Sequence, residues 1–168
     1  MITLDKYIDP WLFERSNDYI GFYTREYFCL DNFSAFKVTF EGHTYSSVEE
    51  AYQALGFVDT APEIAKEITS SSSPYDAMRI SHENLDKRRS DWDMIKVDLM
   101  EKLLRAKLSQ HHYVKQKLLT TKNYLLLEDS PTDSFWGCGL MHDGENMIGK
   151  LWMKIRDEIL QTSGDLNE

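Results

Sequence analysis

The chain has 168 residues, enough for one domain with its own hydrophobic core. Its net charge is −9, which argues against non-specific binding to long nucleic acids, because that binding needs clustered Lys and Arg. Only Cys29 and Cys138 are available as thiols, so reduced cysteines in a cytoplasmic protein are expected rather than a disulfide scaffold. No stretch resembles a signal peptide or reaches the ~18 consecutive apolar residues of a membrane span, so no membrane partner is expected.

Short strands are predicted in the first part of the chain. Their expected positions are residues 19–23, 37–40 and 43–45. Glu41-Gly42 separates the last two strands and is typical of a hairpin turn. Residues 28–36 predict a loop, and residues 1–16 predict an N-terminal arm or short helix packed on the body.

Helical periodicity dominates the remainder. Ser46 and Ser47 each precede a Glu by three residues, a spacing typical of the capping box that starts a helix. Further helices are expected at residues 62–70, from 73 onward, at 90–109, 111–119 and 148–159, with a short buried strand at 124–127. The predicted buried stripe of the longest helix is Trp92, Ile95, Leu99, Leu103 and Ala106. These elements predict an α+β fold, mostly helical, with a small N-terminal β-sheet and neither repeat nor linker.

Few patterns in the sequence specify chemistry by themselves. The five histidines include no HExxH motif, and the two cysteines lie far apart, so neither a metal site nor a cofactor is expected. The nucleotide-binding motifs GxxxxGK[ST] and GxGxxG after a strand are absent from the sequence. Cys138 as a nucleophile would need a base and a lowered pKa, and the alternative is a small loop residue.

Glu49 allows two interpretations. It lies one turn into a predicted helix, with Gln53 a turn further on. A carboxylate there could stabilise an oxocarbenium-like cation or activate water during glycoside cleavage. The alternative is a capping-box residue that only bonds to backbone. Arg79, Arg89 and Lys107 could likewise bind a phosphate or belong to solvated helix faces.

Residues 133–158 form the most unusual stretch, because Trp136 stands between glycines in a loop that leads into a helix. Such a loop could offer backbone and an indole face to a ligand, and the helix start favours an anion. The alternative is a tight turn in which Trp136 fills the core. Asp133 is either a turn residue or an acid beside Trp136, and Trp92 is either a core residue or a stacking face.

An ordered set of short motifs resembles the YbiA/NADAR family. In chain order the motifs are FY at 22–23, DNFSAF at 31–36, E-x-x-Y-Q at 49–53, SSP at 72–74 with Arg79, R-x-x-W at 89–92, LRAK at 104–107, LLxT at 118–121, D-x-x-W-G-x-G at 133–139 and G-x-N-x-x-G at 144–149. No single motif is specific for this family, but the order and spacing of the motifs along the chain are specific for it. The resemblance implies a single domain over residues 1–168 with its core at about 19–161.

This resemblance implies hydrolysis of an N-glycosidic bond on a phosphorylated ribose. One substrate class of the family is the ribosylaminopyrimidine phosphates of riboflavin synthesis, whose cleavage releases ribose 5-phosphate. The other is ADP-ribose attached to guanine or nucleic acid. The implied partner is a small phosphorylated ribosyl compound, and nucleic acid is a partner only in the second case. A third possibility is an inactive module that binds ADP-ribose or ribose phosphate.

The resemblance also implies roles for single residues. The implied catalytic residues are Glu49, as the acid/base or the cation-stabilising carboxylate, and Asp133, which together with Asn32 would hold ribose hydroxyls or water. The implied substrate-binding residues are Phe22, Asn32, Gln53, Arg79, Trp92, Trp136, Gly137, Asn146 and Gly149. Among them the two tryptophans would wall the base pocket and Arg79 would meet the phosphate. Two departures, Gly56 for a Lys common in the family and Cys138 for an acidic or polar residue, motivate the inactive alternative.

Overall fold

A computed structural model describes residues 19–23 and 25–164. By their internal contacts they divide into two units: one combines the residues up to Asp31 with those from Tyr113 onward, and the other is Asn32–His112. The predicted arm at residues 1–16 lies outside the described residues, as do the last four residues of the chain. The α+β class, mostly helical with a small amount of sheet, is confirmed.

The helices and strands agree closely with those predicted. In chain order they are β1 (Tyr19–Gly21), a 3-10 helix (Arg25–Leu30), β2 (Val38–Phe40), β3 (His43–Tyr45), α1 (Val48–Leu55), α2 (Pro62–Thr69), α3 (Pro74–Glu83), a second 3-10 helix (Leu85–Lys87), α4 (Trp92–Gln110), α5 (His112–Thr120), β4 (Leu125–Leu127) and α6 (Met147–Gly164). The loop expected at 28–36 is corrected at its start, because the first 3-10 helix extends to Leu30. The last helix is longer than predicted, because it continues to Gly164.

The unit built from both ends of the chain joins β1 to β4. The two strands are parallel, with Tyr19 opposite Leu125, so the sheet expected near the N-terminus takes its second strand from the C-terminal half. Helix α6 packs in this unit through Leu151 and Trp152, both 0% exposed. The Trp152 indole Nε1 donates to the Leu30 carbonyl at 2.8 Å, so the buried ring keeps a polar partner.

The unit Asn32–His112 begins with the predicted hairpin and continues with helices. Strands β2 and β3 are antiparallel, and Glu41 and Gly42 between them have φ of 49° and 82°, the backbone that a tight hairpin turn requires. Helix α1 follows at once and contacts α2, α3 and α4. It therefore occupies the centre of this unit, and all eight of its residues are buried.

The buried face of α4 differs from the predicted stripe. The buried residues of this helix are Trp92, Met100, Leu103, Leu104, Lys107 and Leu108. Ile95 and Leu99 are only half-buried and line an open cavity of about 310 Å³. Lys107 is 0% exposed and donates to Ser34 Oγ at 2.7 Å, an internal bond that hydrophobic periodicity does not reveal. The predicted stripe is therefore correct at Trp92 and Leu103 and wrong at Ile95, Leu99 and Ala106.

Candidate active site

The first turn of α1 shows which glutamate belongs to the helix cap. Ser47 is the N-cap residue, and its Oγ accepts a hydrogen bond from the Glu50 backbone N–H at 3.1 Å. The Glu50 carboxylate accepts from the Ser46 backbone N–H at 3.3 Å and from the Ser46 hydroxyl. The capping pair is therefore Ser47 with Glu50, and the capping-box interpretation of Glu49 is wrong.

Glu49 is a buried carboxylate with an ordered setting. The residue is only 6% exposed, and its Oε1 accepts a hydrogen bond from Gln53 Nε2 at 2.7 Å. The backbone N–H of Glu49 donates to the Asn32 carbonyl at 3.1 Å, which ties the helix start to the segment before β2. Asn32 is 3% exposed, and its Nδ2 lies 3.3 Å from Met100 Sδ. Within the described part of the chain, Asn32 Oδ1 has no hydrogen-bond donor.

Arg88 joins this group, although the sequence did not single it out. Its Nη2 donates to Gln53 Oε1 at 3.3 Å and also to the Ser81 hydroxyl. Gln53 thus links the Arg88 guanidinium to the Glu49 carboxylate, since its Oε1 accepts from one and its Nε2 donates to the other. The guanidinium carbon lies 5.2 Å from the centroid of the Trp92 ring, within cation–π range.

The pKa of the Arg88 guanidinium is lowered by burial, and the nearby acidic side chains of Tyr52, Asp93 and Glu49 oppose that shift. Trp92, which supports the guanidinium, is 6% exposed, and its ring centroid lies 4.8 Å from that of Tyr52. Trp92 is therefore a core residue in this unit. Its role as the wall of a base pocket stays a prediction.

The arginines that the sequence did single out lie on the surface. Arg79 pairs with Glu83 on its own helix at 2.9 Å, and Arg89 pairs with Asp91 at 2.6 Å. Neither makes a hydrogen bond or ion pair to Glu49 or Gln53 in the described residues. A phosphate-binding role for Arg79 stays a prediction. Arg88 directly precedes the motif R-x-x-W at 89–92, and the two adjacent arginines were the signal available in the sequence.

The other unit contains the loop at residues 133–149. Asp133 Oδ1 accepts hydrogen bonds from the backbone N–H groups of Phe135 at 2.9 Å and Trp136 at 2.7 Å. This is the turn interpretation of Asp133, and its catalytic role stays a prediction. Backbone carbonyls of residues 134–138 accept from the N–H groups of residues 144–148, with Gly137 O to Asn146 N at 2.9 Å as one example. The loop is thereby fixed to the first turn of α6.

Trp136 is half-buried, so it does not fill the core as a plug. Its ring meets that of Phe135 edge-on, with centroids 4.9 Å apart. Its part in binding a base stays a prediction.

Three other predicted binding residues support β4. Asn146 accepts from the Glu128 N–H and donates to the Leu126 carbonyl, both at 2.9 Å, so its amide is engaged at each end. A Cβ on Gly149 would overlap the Leu126 carbonyl, which explains the glycine at this close approach of α6 to β4. Phe22 is 0% exposed, and its N–H donates to the Leu127 carbonyl at 3.0 Å.

The Cys138 thiol has no activating setting. Burial, followed by the nearby Asp129 charge, raises the pKa of Cys138 to about 11, so the thiol is protonated at neutral pH. This favours the interpretation of Cys138 as a small loop residue. Cys29 and Cys138 form no disulfide. Among residues 19–23 and 25–164, no cluster of His, Cys, Asp and Glu is suited to hold a metal ion.

A model of the NADAR domain family matches residues 19–160. The chain belongs to the NADAR family. An N-glycosidase of Nostoc punctiforme is 36% identical over 134 residues, covering 79% of this chain and 86% of that relative. N-glycosidase YbiA of Escherichia coli is 33% identical over 142 residues, covering 83% of this chain and 88% of YbiA. The NMR structure of E. coli YbiA matches with a TM-score of 0.77 at 31% identity, over 88% of this chain and 89% of YbiA.

A plant relative extends the comparison. The chloroplastic riboflavin biosynthesis protein PYRR of Zea mays is 34% identical over 170 residues, covering 92% of this chain but only 27% of PYRR. The NADAR relationship predicted from the motifs is confirmed, and so is an enzyme of the N-glycosidase class. In the part of this NADAR protein that the structure describes, no helix is both long and apolar enough to cross a membrane.

Proposed function

We propose that this NADAR protein hydrolyses the N-glycosidic bond of a ribosylaminopyrimidine phosphate, an intermediate of riboflavin synthesis, and releases ribose 5-phosphate. One observation carries the proposal: Glu49 is a buried carboxylate that Gln53 orients and that the helix cap does not use. The names of the relatives, two N-glycosidases and a riboflavin biosynthesis protein, support the reaction and the substrate class. A single domain over the whole chain and a cytoplasmic location stay predictions.

The reaction needs a negative charge beside the sugar. The bond between C1 of the ribose and the exocyclic nitrogen breaks, the ring oxygen shares the positive charge that develops at C1, and water adds there. Glu49 would stabilise that charge and accept the proton of the attacking water, while the departing amine retains the bonding electron pair and takes up a proton. The positive end of α1 and the Arg88 charge both interact favourably with an ionised carboxylate at this position.

Asn32 offers a second contact in the same unit. Its Oδ1 is buried and lacks a donor in the described residues, and such an acceptor is costly unless a ligand supplies a hydrogen bond. A ribose hydroxyl is a donor of the required kind. Asn32 would then hold the sugar, whereas Glu49 acts at C1.

The experiment is product analysis with purified protein. Incubation with a ribosylaminopyrimidine phosphate is expected to release ribose 5-phosphate and the free aminopyrimidine. Glu49→Gln keeps the size of the side chain and its bond to Gln53 but removes the charge, so we expect kcat to fall by about 100-fold or more. The matched control is Glu50→Gln, on the same turn and similarly buried, which should keep kcat within about threefold.

Other outcomes separate the alternatives. Cleavage of ADP-ribosylated guanosine in place of the pyrimidine substrate would reassign the substrate class. Binding of ribose 5-phosphate or ADP-ribose without turnover of either substrate would leave an inactive binding module. Turnover that is unchanged in Glu49→Gln would remove Glu49 from the mechanism, whatever the substrate.

A further inference from the structure

Arg88 differs from its neighbours Arg79 and Arg89 in its partners. Those two are paired with carboxylates, at 2.9 Å to Glu83 and at 2.6 Å to Asp91. In the described residues, Arg88 makes no ion pair, and its only hydrogen bonds go from Nη2 to Gln53 and Ser81. A guanidinium that is partly removed from water without a carboxylate partner is unfavourable in isolation.

Two donor nitrogens of Arg88 have no acceptor among the described residues. Its Nε is buried and has no acceptor, and its Nη1 has no acceptor among the described residues. The guanidinium carbon lies 5.2 Å from the ring centroid of Trp92 and 5.6 Å from that of Phe57, so aromatic faces hold the planar group without neutralising it. A planar guanidinium that is stacked on aromatic rings and has unused N–H donors is suited to bind a phosphate.

Gly56 makes room for this arrangement. Its φ is −70°, an ordinary helical value, so the backbone itself does not require glycine. A Cβ at position 56 would lie 3.3 Å from Arg88 Cγ and 3.5 Å from Cδ, so the Arg88 stem lies directly over the end of α1. The Gly56 carbonyl also accepts from the Arg89 N–H at 3.0 Å, which anchors the backbone beside Arg88 to the same helix end.

We propose that Arg88 is the phosphate-binding residue of the site, and that Gly56 sets its position. The assignment of this phosphate to the substrate rests on the proposed function. Gln53 separates the guanidinium from Glu49, so a sugar phosphate could present its phosphate to Arg88 and its C1 to the carboxylate. The carboxylates whose charges act on Arg88 are Asp93 and Glu49, and neither forms an ion pair with the guanidinium.

The test is calorimetric binding of ribose 5-phosphate, ribose, inorganic phosphate and ADP-ribose, which needs no turnover. Wild-type protein should bind ribose 5-phosphate more tightly than ribose. Arg88→Gln should weaken ribose 5-phosphate binding by about tenfold or more and leave ribose binding unchanged, because charge-assisted hydrogen bonds are lost. Arg89→Gln is the matched control, an adjacent arginine with carboxylate partners, and should change binding by less than about twofold. ADP-ribose distinguishes a diphosphate from a monophosphate as the preferred group.

Gly56→Ala tests the geometry without removing the charge. The added methyl group must displace the Arg88 stem by a few tenths of an ångström, so ribose 5-phosphate should bind more weakly while ribose does not. If Arg88→Gln fails to fold in a thermal unfolding experiment, Arg88→Met, which removes the charge but keeps an apolar stem against Trp92 and Phe57, and Gly56→Ala carry the test. The proposal is overturned if wild type does not bind ribose 5-phosphate, if it binds ribose equally well, if these variants bind like wild type, or if Arg79→Gln alone loses phosphate binding.

Failure here is distinct from failure of the proposed function. Phosphate-selective binding that depends on Arg88, with no turnover, removes the glycosidase and keeps the phosphate site. Turnover with a KM that is unchanged in Arg88→Gln keeps the glycosidase and removes the phosphate site. When both hold, the variant should raise KM for the phosphorylated substrate and leave KM for its dephosphorylated form unchanged.

Discussion

The buried Cys138 thiol should make stability depend on alkaline pH. Its pKa is raised to about 11 in the folded protein, against about 9 for the exposed thiol, so the unfolded chain loses its proton first as pH rises. The thiol therefore contributes its full stability below pH ~9 and loses it between pH ~9 and ~11. At pH 10 the free energy of unfolding of wild type should have dropped by about 1.4 kcal/mol through this group.

Cys138→Ala isolates the contribution. Urea unfolding of wild type and variant at pH 7 and pH 10 gives four free energies of unfolding. Subtracting the variant's change between the two pH values from that of wild type cancels the contributions of the other groups that titrate in this range. We expect the variant to lose about 1.4 kcal/mol less than wild type between the two pH values. Equal losses would show that the Cys138 thiol has the same pKa in both states.

At the scale of single residues, the motifs indicated which residues could belong to a site but not which way their side chains point. Glu49 and Gln53 share one helix face by spacing, so their contact could be expected. Arg88 lies in the irregular segment between Lys87 and Trp92, where no periodicity predicts which way a side chain points. Asn146 and Phe22 belong to loops and strand ends, and only the fold shows that they bond to β4.

Among the elements, α1 offers a direct test of its cap. Ser47→Ala removes the acceptor of the Glu50 N–H and should lower the free energy of unfolding by about 1 kcal/mol. Ser46→Ala removes the hydroxyl that donates to the Glu50 carboxylate, but Ser46 is exposed and its backbone N–H still donates to that carboxylate. Its cost should therefore be smaller, about 0.5 kcal/mol. Chemical denaturation of both variants makes the comparison. If Ser46→Ala lowered the free energy of unfolding more than Ser47→Ala, Ser46 would be the N-cap residue and Glu49 its partner in the capping box.

The Asn146 side-chain amide, just before α6, makes two hydrogen bonds to the backbone at β4. Asn146→Ala leaves the Glu128 N–H and the Leu126 carbonyl without their side-chain partners, which should lower the free energy of unfolding by about 2–4 kcal/mol. Asn123→Ala, at an exposed asparagine, is the control and should cost about 0.5 kcal/mol or less. Similar losses in the two variants, measured by urea unfolding, would show that Asn146 is not a structural residue.

Elements with strong local signals were predictable from the sequence. Glu41-Gly42 gave the hairpin, and Ser73-Pro74 gave the start of α3, because each turn or cap is encoded within a few residues. The buried face of α4 was not, since Lys107 is satisfied by a hydroxyl distant in sequence. Local patterns specify where a helix starts, whereas its buried side depends on what packs against it.

On the scale of the whole molecule, one of the two units is discontinuous in sequence, and this was not predicted. Residues up to Asp31 fold with those from Tyr113 onward, and the entire Asn32–His112 unit lies between them in the chain. Strands β1 and β4 have three residues each and pair in parallel, with Tyr19 opposite Leu125. Such short strands carry no pattern that identifies a partner so far along the chain, so this pairing could not be predicted.

This discontinuity predicts an order of folding. In the Asn32–His112 unit the contacts of α1, α2 and α3 join neighbouring elements, so little loop-closure entropy opposes them. The hydrogen bond from the Phe22 N–H to the Leu127 carbonyl instead closes a very long loop. Pulsed hydrogen-exchange labelling during refolding should therefore protect the α1 amides, such as that of Ala51, before the Phe22 amide.

The control is the amide of Ile148, which bonds to Trp136 O within the second segment of the discontinuous unit. If loop closure sets the order, this amide gains protection no later than Phe22, because its partner is near in sequence. Phe22 then reports the joining of the two segments and Ile148 the local folding of one. Simultaneous protection of Ala51, Ile148 and Phe22 would mean that one cooperative step, rather than loop closure, controls folding.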